Sequence, residues 1–391
     1  MAKHAFLEPY KFADKDVTLR NRIAMAPMTT KASFYDGQVS GDEVEYYRLR
    51  SGVGMLITGV ANVDDGGKGF EGELSVADDR FIPGLRRVPN AIHERGSVAV
   101  LQIFSAGRKT TSAILRGHQP YSASAVARQR DPENVPRELT DSEVETLVEA
   151  FGQATRRAIE AGFDGVEIHG ANSYLIQQFF SPQSNVRTDR WGGDVYGRMS
   201  FPLAVIDSVN AAVDAAGRQN DFLVGYRLSP EELSEPGITI EDTKKLVDKL
   251  ADKRIDYIHT SMGDYRRTSL RDRSDKREIN KILLEVIAGR KPLVEVGSIA
   301  TPAQADDALE RGATIAAIGR ELIREPNWIQ KVESGREKDI RYTISPDDMD
   351  QLGIPAGFQT SLRTEFLKSM EFTDQITEEY LDQAAPMEGM N

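Results

Sequence analysis

Short apolar runs rich in valine, isoleucine and leucine recur along the chain, and each is followed by a stretch with helical hydrophobic spacing. The runs are continuous rather than alternating, which is typical of strands covered on both faces. There are eight of them: RIAMAPM (22–28), GMLITGV (54–60), VAVLQIF (98–104), GVEIHG (165–170), FLVGYRL (222–228), DYIHTSM (256–262), PLVEVG (292–297) and TIAAIGR (314–320). Eight strand-then-helix units predict an α/β fold, a TIM (β/α)8 barrel.

The helical pattern is clearest before the fourth strand. Thr140 and Glu143 have the spacing of a capping box, and apolar residues then recur at helical positions: Val144, Leu147, Val148, Phe151, Ala154 and Ala158. An open, doubly wound sheet is the alternative fold. Its usual glycine-rich dinucleotide fingerprint is missing after the first strand.

We predict a single domain over residues 1–391. Residues 1–20 form an N-terminal cap, in which FADKDVTL pairs as a hairpin closing the barrel bottom, and residues 21–330 form the barrel. Residues 331–391 form an acidic, irregular C-terminal extension with a last helix near 374–383. This extension is either a subunit contact or a loose tail.

Two long polar insertions follow strands 3 and 6, on the face where barrel enzymes keep their sites. The first, residues 105–140, is a candidate lid. The second, GDYRRTSLRDRSDKRE, carries a cluster of arginines. This cluster is either a solvated loop or a group that holds an anionic part of a ligand, and the sequence leaves both readings open.

Composition narrows the function classes. The 391 residues are 40% hydrophobic and carry a net charge of −12, which disfavours nucleic acid and anionic membranes as partners. The chain has no cysteine, so thiolate metal sites and cysteine nucleophiles are excluded, and we expect no metal. It shows neither a signal peptide nor a run of about 18 apolar residues. These features predict a cytoplasmic protein that acts on a small molecule.

Polar and small residues gather where the strands end, at what would be one mouth of the barrel. They are Pro27, Met28, Thr29 and Thr30 after strand 1, Val60 after strand 2, Gln102 on strand 3, His169, Asn172 and Tyr174 after strand 4, Arg227 on strand 5, Gly297 and Ser298 after strand 7, and Gly319 and Arg320 after strand 8. Few of these residue types belong in an apolar core.

Two features are shared by the ends of strands 7 and 8, VGSIATP and IGRELIREP. Small residues expose backbone N–H groups, and each turn leads into a helix N-terminus, which favours an anion. Either glycine alone is an ordinary turn residue, but two at adjacent strand ends together with Arg320 predict a phosphorylated ligand.

Gln102 and Arg227 interrupt otherwise apolar runs. A buried arginine without a partner is unfavourable, so a negative or strongly accepting group is expected beside it. The alternative is a buried ion pair with Glu167 or Glu295. A polar ring system that needs both donors and acceptors fits better.

These motifs resemble the Old Yellow Enzyme family of FMN-dependent ene-reductases, over most of residues 5 to 330. The resemblance rests on NRIAMAPMTT (21–30), LQIFSAGRK (101–109), Arg227 in VGYRLSP, IGRELIREP (318–326) and above all GVEIHGANSYLIQQFFSPQSNVRTDRWGG (165–193). It implies hydride transfer from NADH or NADPH, through FMN, to the C=C bond of an α,β-unsaturated carbonyl, nitro or quinone-like acceptor. It also implies a homo-oligomer.

The resemblance assigns roles by position. His169 and Asn172 would bind the substrate's carbonyl oxygen, and Tyr174 would give a proton to the α-carbon. The expected FMN ligands are Pro27, Met28, Thr29, Val60, Gln102, His169, Arg227, Gly297, Ser298, Gly319 and Arg320. Family members often carry cysteine at Thr29 and histidine at Phe104, so the flavin potential and the pocket shape are not carried over.

Two other functions stay open on the sequence. One is a flavin-free barrel lyase or isomerase that uses the strand 7 and strand 8 turns for a substrate phosphate, and this protein would be colourless. The other is a noncatalytic barrel whose loops and tail bind a protein partner. In that case, changing His169 and Asn172 together would leave function intact.

Overall fold

The eight apolar runs form eight parallel strands in a computed structural model, which describes residues 4–367 and 369–373. In chain order they are Ile23–Met25 (β1), Met55–Asn62 (β2), Val98–Phe104 (β3), Gly165–Gly170 (β4), Leu223–Leu228 (β5), Tyr257–Thr260 (β6), Leu293–Val296 (β7) and Ile315–Ile318 (β8). Each strand pairs with the next, and β8 pairs with β1 through Ala316 and Ile23. The sheet is therefore closed, and the predicted TIM barrel is confirmed.

Helices surround this barrel. They are Gly41–Arg50 (α1), Ile82–Leu85 (α2), Arg87–His93 (α3), Asp141–Ala161 (α4), Leu175–Phe180 (α5), Val195–Arg198 (α6), Ser200–Ala215 (α7), Ile240–Asp252 (α8), Ile279–Ile287 (α9), Pro302–Glu310 (α10), Arg320–Arg324 (α11), Trp328–Glu333 (α12) and Ala356–Arg363 (α13). The predicted capping box of Thr140 and Glu143 begins α4. None of the helices in the described ranges is long and apolar enough to cross a membrane.

The N-terminal hairpin is present, with Tyr10–Lys11 antiparallel to Thr18–Leu19. Phe12, Val17 and Leu19 pack against inward-facing residues near the strand starts, in one apolar cluster. Lys15 lies 3.4 Å from Asp256, in the turn that leads into β6. The hairpin therefore closes the barrel end opposite to the strand ends.

Strand bounds differ from the prediction mainly at the mouth. The runs 22–28 and 314–320 predict longer strands than are formed, since β1 stops at Met25 and β8 stops at Ile318. Pro27 has no N–H for a ladder, and Gly319 turns the chain into α11. The residues after these strands leave the sheet and line the mouth.

The structure shows the partners of the arginines in the loop after β6. Four of its arginines pair with carboxylates: Arg266 with Asp307, Arg267 with Glu231, Arg271 with Glu235 and Arg277 with Asp275. None of the four lines the cavity at the strand ends. Within the described structure, this loop is a set of internal ion pairs rather than an anion site.

The C-terminal extension is more ordered than the sequence suggests. Residues 356–363 form α13, and three polar contacts fasten the following segment to the same barrel. Lys31 Nζ lies 2.6 Å from Glu365, Arg324 lies 2.7 Å from Glu371, and Arg320 donates to the carbonyl of Ser369 at 2.9 Å. The helix predicted near 374–383 falls outside the described residues.

Candidate active site

A cavity of about 950 Å³ opens at the carboxyl ends of the strands. Ten of the predicted site residues line it: Pro27, Met28, Thr29, Asn172, Tyr174, Arg227, Gly297, Ser298, Gly319 and Arg320. This volume lies at the upper end of the range for small-molecule and cofactor sites. The strand ends therefore converge on one site, as the barrel geometry requires.

Three predicted residues are not among those that line the cavity. Val60 packs with Phe104 and Tyr174 in a small apolar cluster. Gln102 is buried, and its side chain donates to Glu167 at 2.8 Å. The His169 ring lies 5.1 Å from the Tyr174 ring, centroid to centroid. The contact of these three residues with a cofactor or an acceptor remains a prediction.

Arg227 is the buried cation of the site. It makes no ion pair with Glu167 or Glu295, so the alternative predicted from the sequence is wrong for the described structure, and its Nε has no partner there. Glu167 is instead contacted by Gln102 and by His259, each at 2.8 Å. Arg227 lines the cavity, so its unsatisfied donors fit an acceptor-rich ligand there.

The turns after β7 and β8 meet at the other end of the cavity. Gly297 has φ +147°, and a Cβ built on it would lie 2.5 Å from the backbone nitrogen of Tyr265, so no side chain fits there. Arg320 donates to the Ser298 hydroxyl at 2.6 Å, and this hydroxyl donates to the carbonyl of Gly263 at 2.7 Å. A guanidinium group beside two small-residue turns suits a phosphate group.

Asn172 sits in a strained turn that begins directly after β4. Asn172 and Ser173 have φ values of 58° and 62°, which is uncommon for residues other than glycine. The Asn172 Oδ1 accepts a hydrogen bond from the Ser261 hydroxyl at 2.9 Å, and its backbone N–H donates to Ser229 at 2.9 Å. The amide oxygen is thus occupied, which leaves the NH2 group as the donor available to a ligand.

Tyr174 presents a neutral phenol to the cavity. Burial raises the pKa of Tyr174, and the charge of Glu73 raises it further. Its ring packs edge-on against Phe104 at 5.0 Å, and its hydroxyl has no hydrogen-bond partner among the described residues. A buried phenol that keeps its proton can donate it to a reacting atom.

His169 is held neutral. Burial lowers the pKa of His169 well below its ordinary value, and the charges of Arg227, Lys109 and His259 lower it further. Its Nδ1 has no partner within the described structure. A neutral imidazole keeps one N–H donor, which is enough for a hydrogen bond to a substrate oxygen.

The neutral state of His169 predicts a pH effect on stability. Below about pH 6.5 the unfolded chain binds a proton at this position and the folded chain does not, so stability falls as the pH falls. Relative to a His169→Gln variant, the wild type should lose about 1.4 kcal/mol of unfolding free energy per pH unit below about 6.5. Urea unfolding at neutral and mildly acidic pH measures this difference.

His118→Gln, at an exposed position, is the matched control for the substitution of a histidine by glutamine. Parallel pH dependences for wild type and His169→Gln would contradict the neutral assignment.

Several functional positions were not singled out from the sequence. Ser229 and Ser261 hold the Asn172 turn, and Lys109 donates to its carbonyl at 2.9 Å. Ser261 falls inside the run DYIHTSM, so its place at a strand end was the available signal. Eight described residues of the C-terminal extension also line the cavity: Tyr342, Phe358, Leu362, Glu365, Phe366, Ser369, Met370 and Glu371. No local pattern indicated that the extension returns to its own barrel.

Comparison with known proteins agrees with this geometry. Residues 6–339 match the model of the NADH:flavin oxidoreductase / NADH oxidase family. The chain is 46% identical over 352 residues to the probable NADH-dependent flavin oxidoreductase YqiG of Bacillus subtilis, covering 89% of this chain and 93% of that protein. It is also 45% identical over 320 residues to the NADH:acrylate oxidoreductase of Vibrio harveyi, covering 81% of this chain but only 32% of the relative.

A solved structure agrees as well. The Old Yellow Enzyme homologue of Zymomonas mobilis superposes with a TM-score of 0.76 at 25% identity, covering 91% of this chain and 98% of that one. The fold and the family match together define a barrel oxidoreductase that uses a flavin. The chain belongs to the NADH:flavin oxidoreductase / NADH oxidase family, which includes the Old Yellow Enzymes. Its cofactor is FMN, and its hydride donor is NADH or NADPH.

Proposed function

We propose that this enzyme reduces the C=C bond of α,β-unsaturated carbonyl, nitro or quinone-like acceptors. The observation that supports this most strongly is the turn after β4. There Asn172 presents an amide donor, with its oxygen already bound to Ser261, beside the neutral Tyr174 phenol. A donor for a developing oxyanion and a nearby acid are what reduction of an activated alkene needs.

The residues around the cavity fit FMN. The unpaired guanidinium of Arg227 suits the acceptor atoms of a flavin ring, with Thr29 and Met28 lining the same cavity. The Gly297, Ser298, Gly319 and Arg320 turns suit its phosphate. Bound FMN supplies hydride chemistry. Gln102 donates to Glu167 at 2.8 Å, and its contact with the flavin stays a prediction.

The protein's own groups then act on the acceptor. Negative charge that develops on the acceptor oxygen is stabilised by donors that are already fixed, and Asn172 and His169 supply these donors. Tyr174 gives its proton to the α-carbon. The flavin-free and noncatalytic alternatives lose their support, because the family is one of flavin oxidoreductases.

The visible absorption spectrum of the purified protein tests the proposal. We expect a flavin spectrum that bleaches on anaerobic addition of NADH or NADPH and recovers on addition of cyclohexenone. Acrylate belongs in the acceptor panel because one relative is named for it, although the chain spans about a third of that relative. A bleached flavin that no activated alkene reoxidises would contradict the ene-reductase proposal.

Arg227 offers a prediction about cofactor retention. Arg227→Met removes the buried cation that β5 places at the cavity and leaves flavin acceptors without their partner, so FMN should bind at least about tenfold more weakly. Fluorescence titration of released FMN measures this loss. Arg271→Met, in the paired loop after β6, is the matched control and should retain FMN. Equal affinity in both variants would remove Arg227 from the cofactor site.

The homo-oligomeric state and the cytoplasmic location remain predictions. The described part of the C-terminal extension is fastened to its own barrel, so a subunit contact need not pass through it. Size-exclusion chromatography with light scattering on the full chain measures the assembly directly.

A further inference from the structure

Lys109 connects the two groups that the proposed reaction uses. It lies in the loop directly after β3, and its Nζ donates to the carbonyl oxygen of Asn172 at 2.9 Å. The same Nζ lies 4.5 Å from the centroid of the Tyr174 ring. One ammonium group therefore contacts both the donor turn and the acid.

Nothing in the described structure neutralises this ammonium group. Lys109 forms no ion pair with a carboxylate, and the charges that reach it most strongly are those of Arg128 and Arg130. Burial, together with these two arginines, lowers the pKa of Lys109 to about 8. A half-buried cation that is surrounded by positive charge is unfavourable for stability. Stability therefore does not explain why Lys109 lies at this position.

Proton transfer from Tyr174 creates a negative charge, and this charge explains the position of Lys109. When the Tyr174 O–H bond breaks, the proton forms a new C–H bond at the acceptor's α-carbon and the electron pair stays on the phenolate oxygen. This anion forms in a buried position, where Glu73 opposes it and Arg227 and Arg128 favour it. An ammonium group beside the ring stabilises the phenolate, and a solvent proton later restores the phenol.

We propose that Lys109 is a positioning residue of the acid step, which stabilises the Tyr174 phenolate from a location fixed by its hydrogen bond to the Asn172 carbonyl. This proposal rests on the proposed function, in which Tyr174 is the proton donor. The contact with the Asn172 carbonyl gives Lys109 a fixed location, so its charge acts on the ring from a constant distance.

A double-mutant cycle tests it. Lys109→Met should slow reoxidation of the reduced enzyme by cyclohexenone on the order of tenfold to a hundredfold, which corresponds to the usual coupling of contacting groups. Lys109→Arg keeps the charge and should retain most of the rate. Reduction by NADH should stay unchanged in both. In a Tyr174→Phe background, Lys109→Met should have little further effect, because there is no phenolate left to stabilise.

The outcomes separate the two proposals. If Tyr174→Phe leaves reoxidation unchanged, the role of Tyr174 is overturned, and the role of Lys109 falls with it. If Tyr174→Phe slows reoxidation and Lys109→Met slows both backgrounds equally, only the Lys109 proposal is overturned. Lys109→Gln, with a smaller change in polarity, takes the place of Lys109→Met if the latter fails to retain FMN.

The titration of Lys109 gives a readout that does not depend on activity. In the FMN-loaded protein with 13C-labelled lysine, the Cε signal that is lost in Lys109→Arg should titrate near pH 8. Reoxidation should slow over the same range in wild type but not in Lys109→Arg. The other charged groups that face Lys109 or Tyr174 are Arg128, Arg130, Glu73, Glu365 and Arg227. A wild-type reoxidation rate that stays constant while the Lys109 signal titrates would overturn the proposal.

Discussion

Replacing Tyr174 with phenylalanine should slow reoxidation of the reduced enzyme by activated alkenes about 10²- to 10⁴-fold, the usual contribution of a general acid. The phenyl ring keeps the edge-on contact with Phe104 at 5.0 Å, so only the O–H group is lost. Reduction by NADH uses no proton from this phenol and should be unaffected. Anaerobic stopped-flow measurement of the flavin absorbance separates the two half-reactions.

Tyr226→Phe is the matched control for this prediction. Tyr226 is also buried, and it lies on β5 outside the cavity, so loss of its hydroxyl should change neither half-reaction. If Tyr174→Phe slowed both half-reactions alike, the effect would come from altered cofactor binding rather than from a missing acid. Unchanged reoxidation would remove Tyr174 from the chemistry.

The barrel and much of its mouth could be predicted from the sequence because the signals are local. Each strand is one continuous apolar run, and in a closed parallel barrel all strand ends meet at one face. A polar residue at the end of a run is therefore placed in the site by its sequence position alone. Arg227 and Asn172 were found in this way.

The residues that were missed depend on contacts between distant parts of the chain. Ser261 matters because its hydroxyl reaches Asn172 across the mouth, and Lys109 matters because its ammonium group reaches the same turn. Neither has a distinctive local pattern. The arginines after β6 form a conspicuous local pattern that suggested an anion site. They instead form ion pairs with carboxylates that lie far away in the sequence, such as Glu231 and Asp307.

The C-terminal extension illustrates the same limit. Its acidic composition indicates a solvated segment, and its short helix α13 is too brief to be predicted from periodicity. What places it over the cavity is a set of pairs with the barrel, such as Lys31 with Glu365 and Arg324 with Glu371. Those acidic residues pair with Lys31, in the loop after β1, and with Arg324, at the end of α11. The acidic composition that suggested a loose tail therefore supplies the carboxylates that bind the extension to the barrel.

Removing the donors at the acceptor oxygen is the second change with a large expected effect. Asn172→Ala and His169→Ala should each lower the rate of alkene reduction about 10²- to 10³-fold, as loss of one oxyanion donor does elsewhere. The double variant should lose less than the product of the two, because both donors serve the same oxygen. Single-turnover rates and acceptor affinity measure the two components separately.

The single-turnover rate and the acceptor affinity distinguish two possible roles of these donors. Donors that act on developing charge lower the rate of the chemical step, whereas donors that only bind the acceptor weaken its affinity. Asn172 is held by Ser261 before any ligand arrives, so its loss should appear mainly in the rate. His118→Ala, at an exposed position, controls for loss of a histidine. A double variant that loses only acceptor affinity would show that the β4 turn binds the acceptor without stabilising the charge that forms on it.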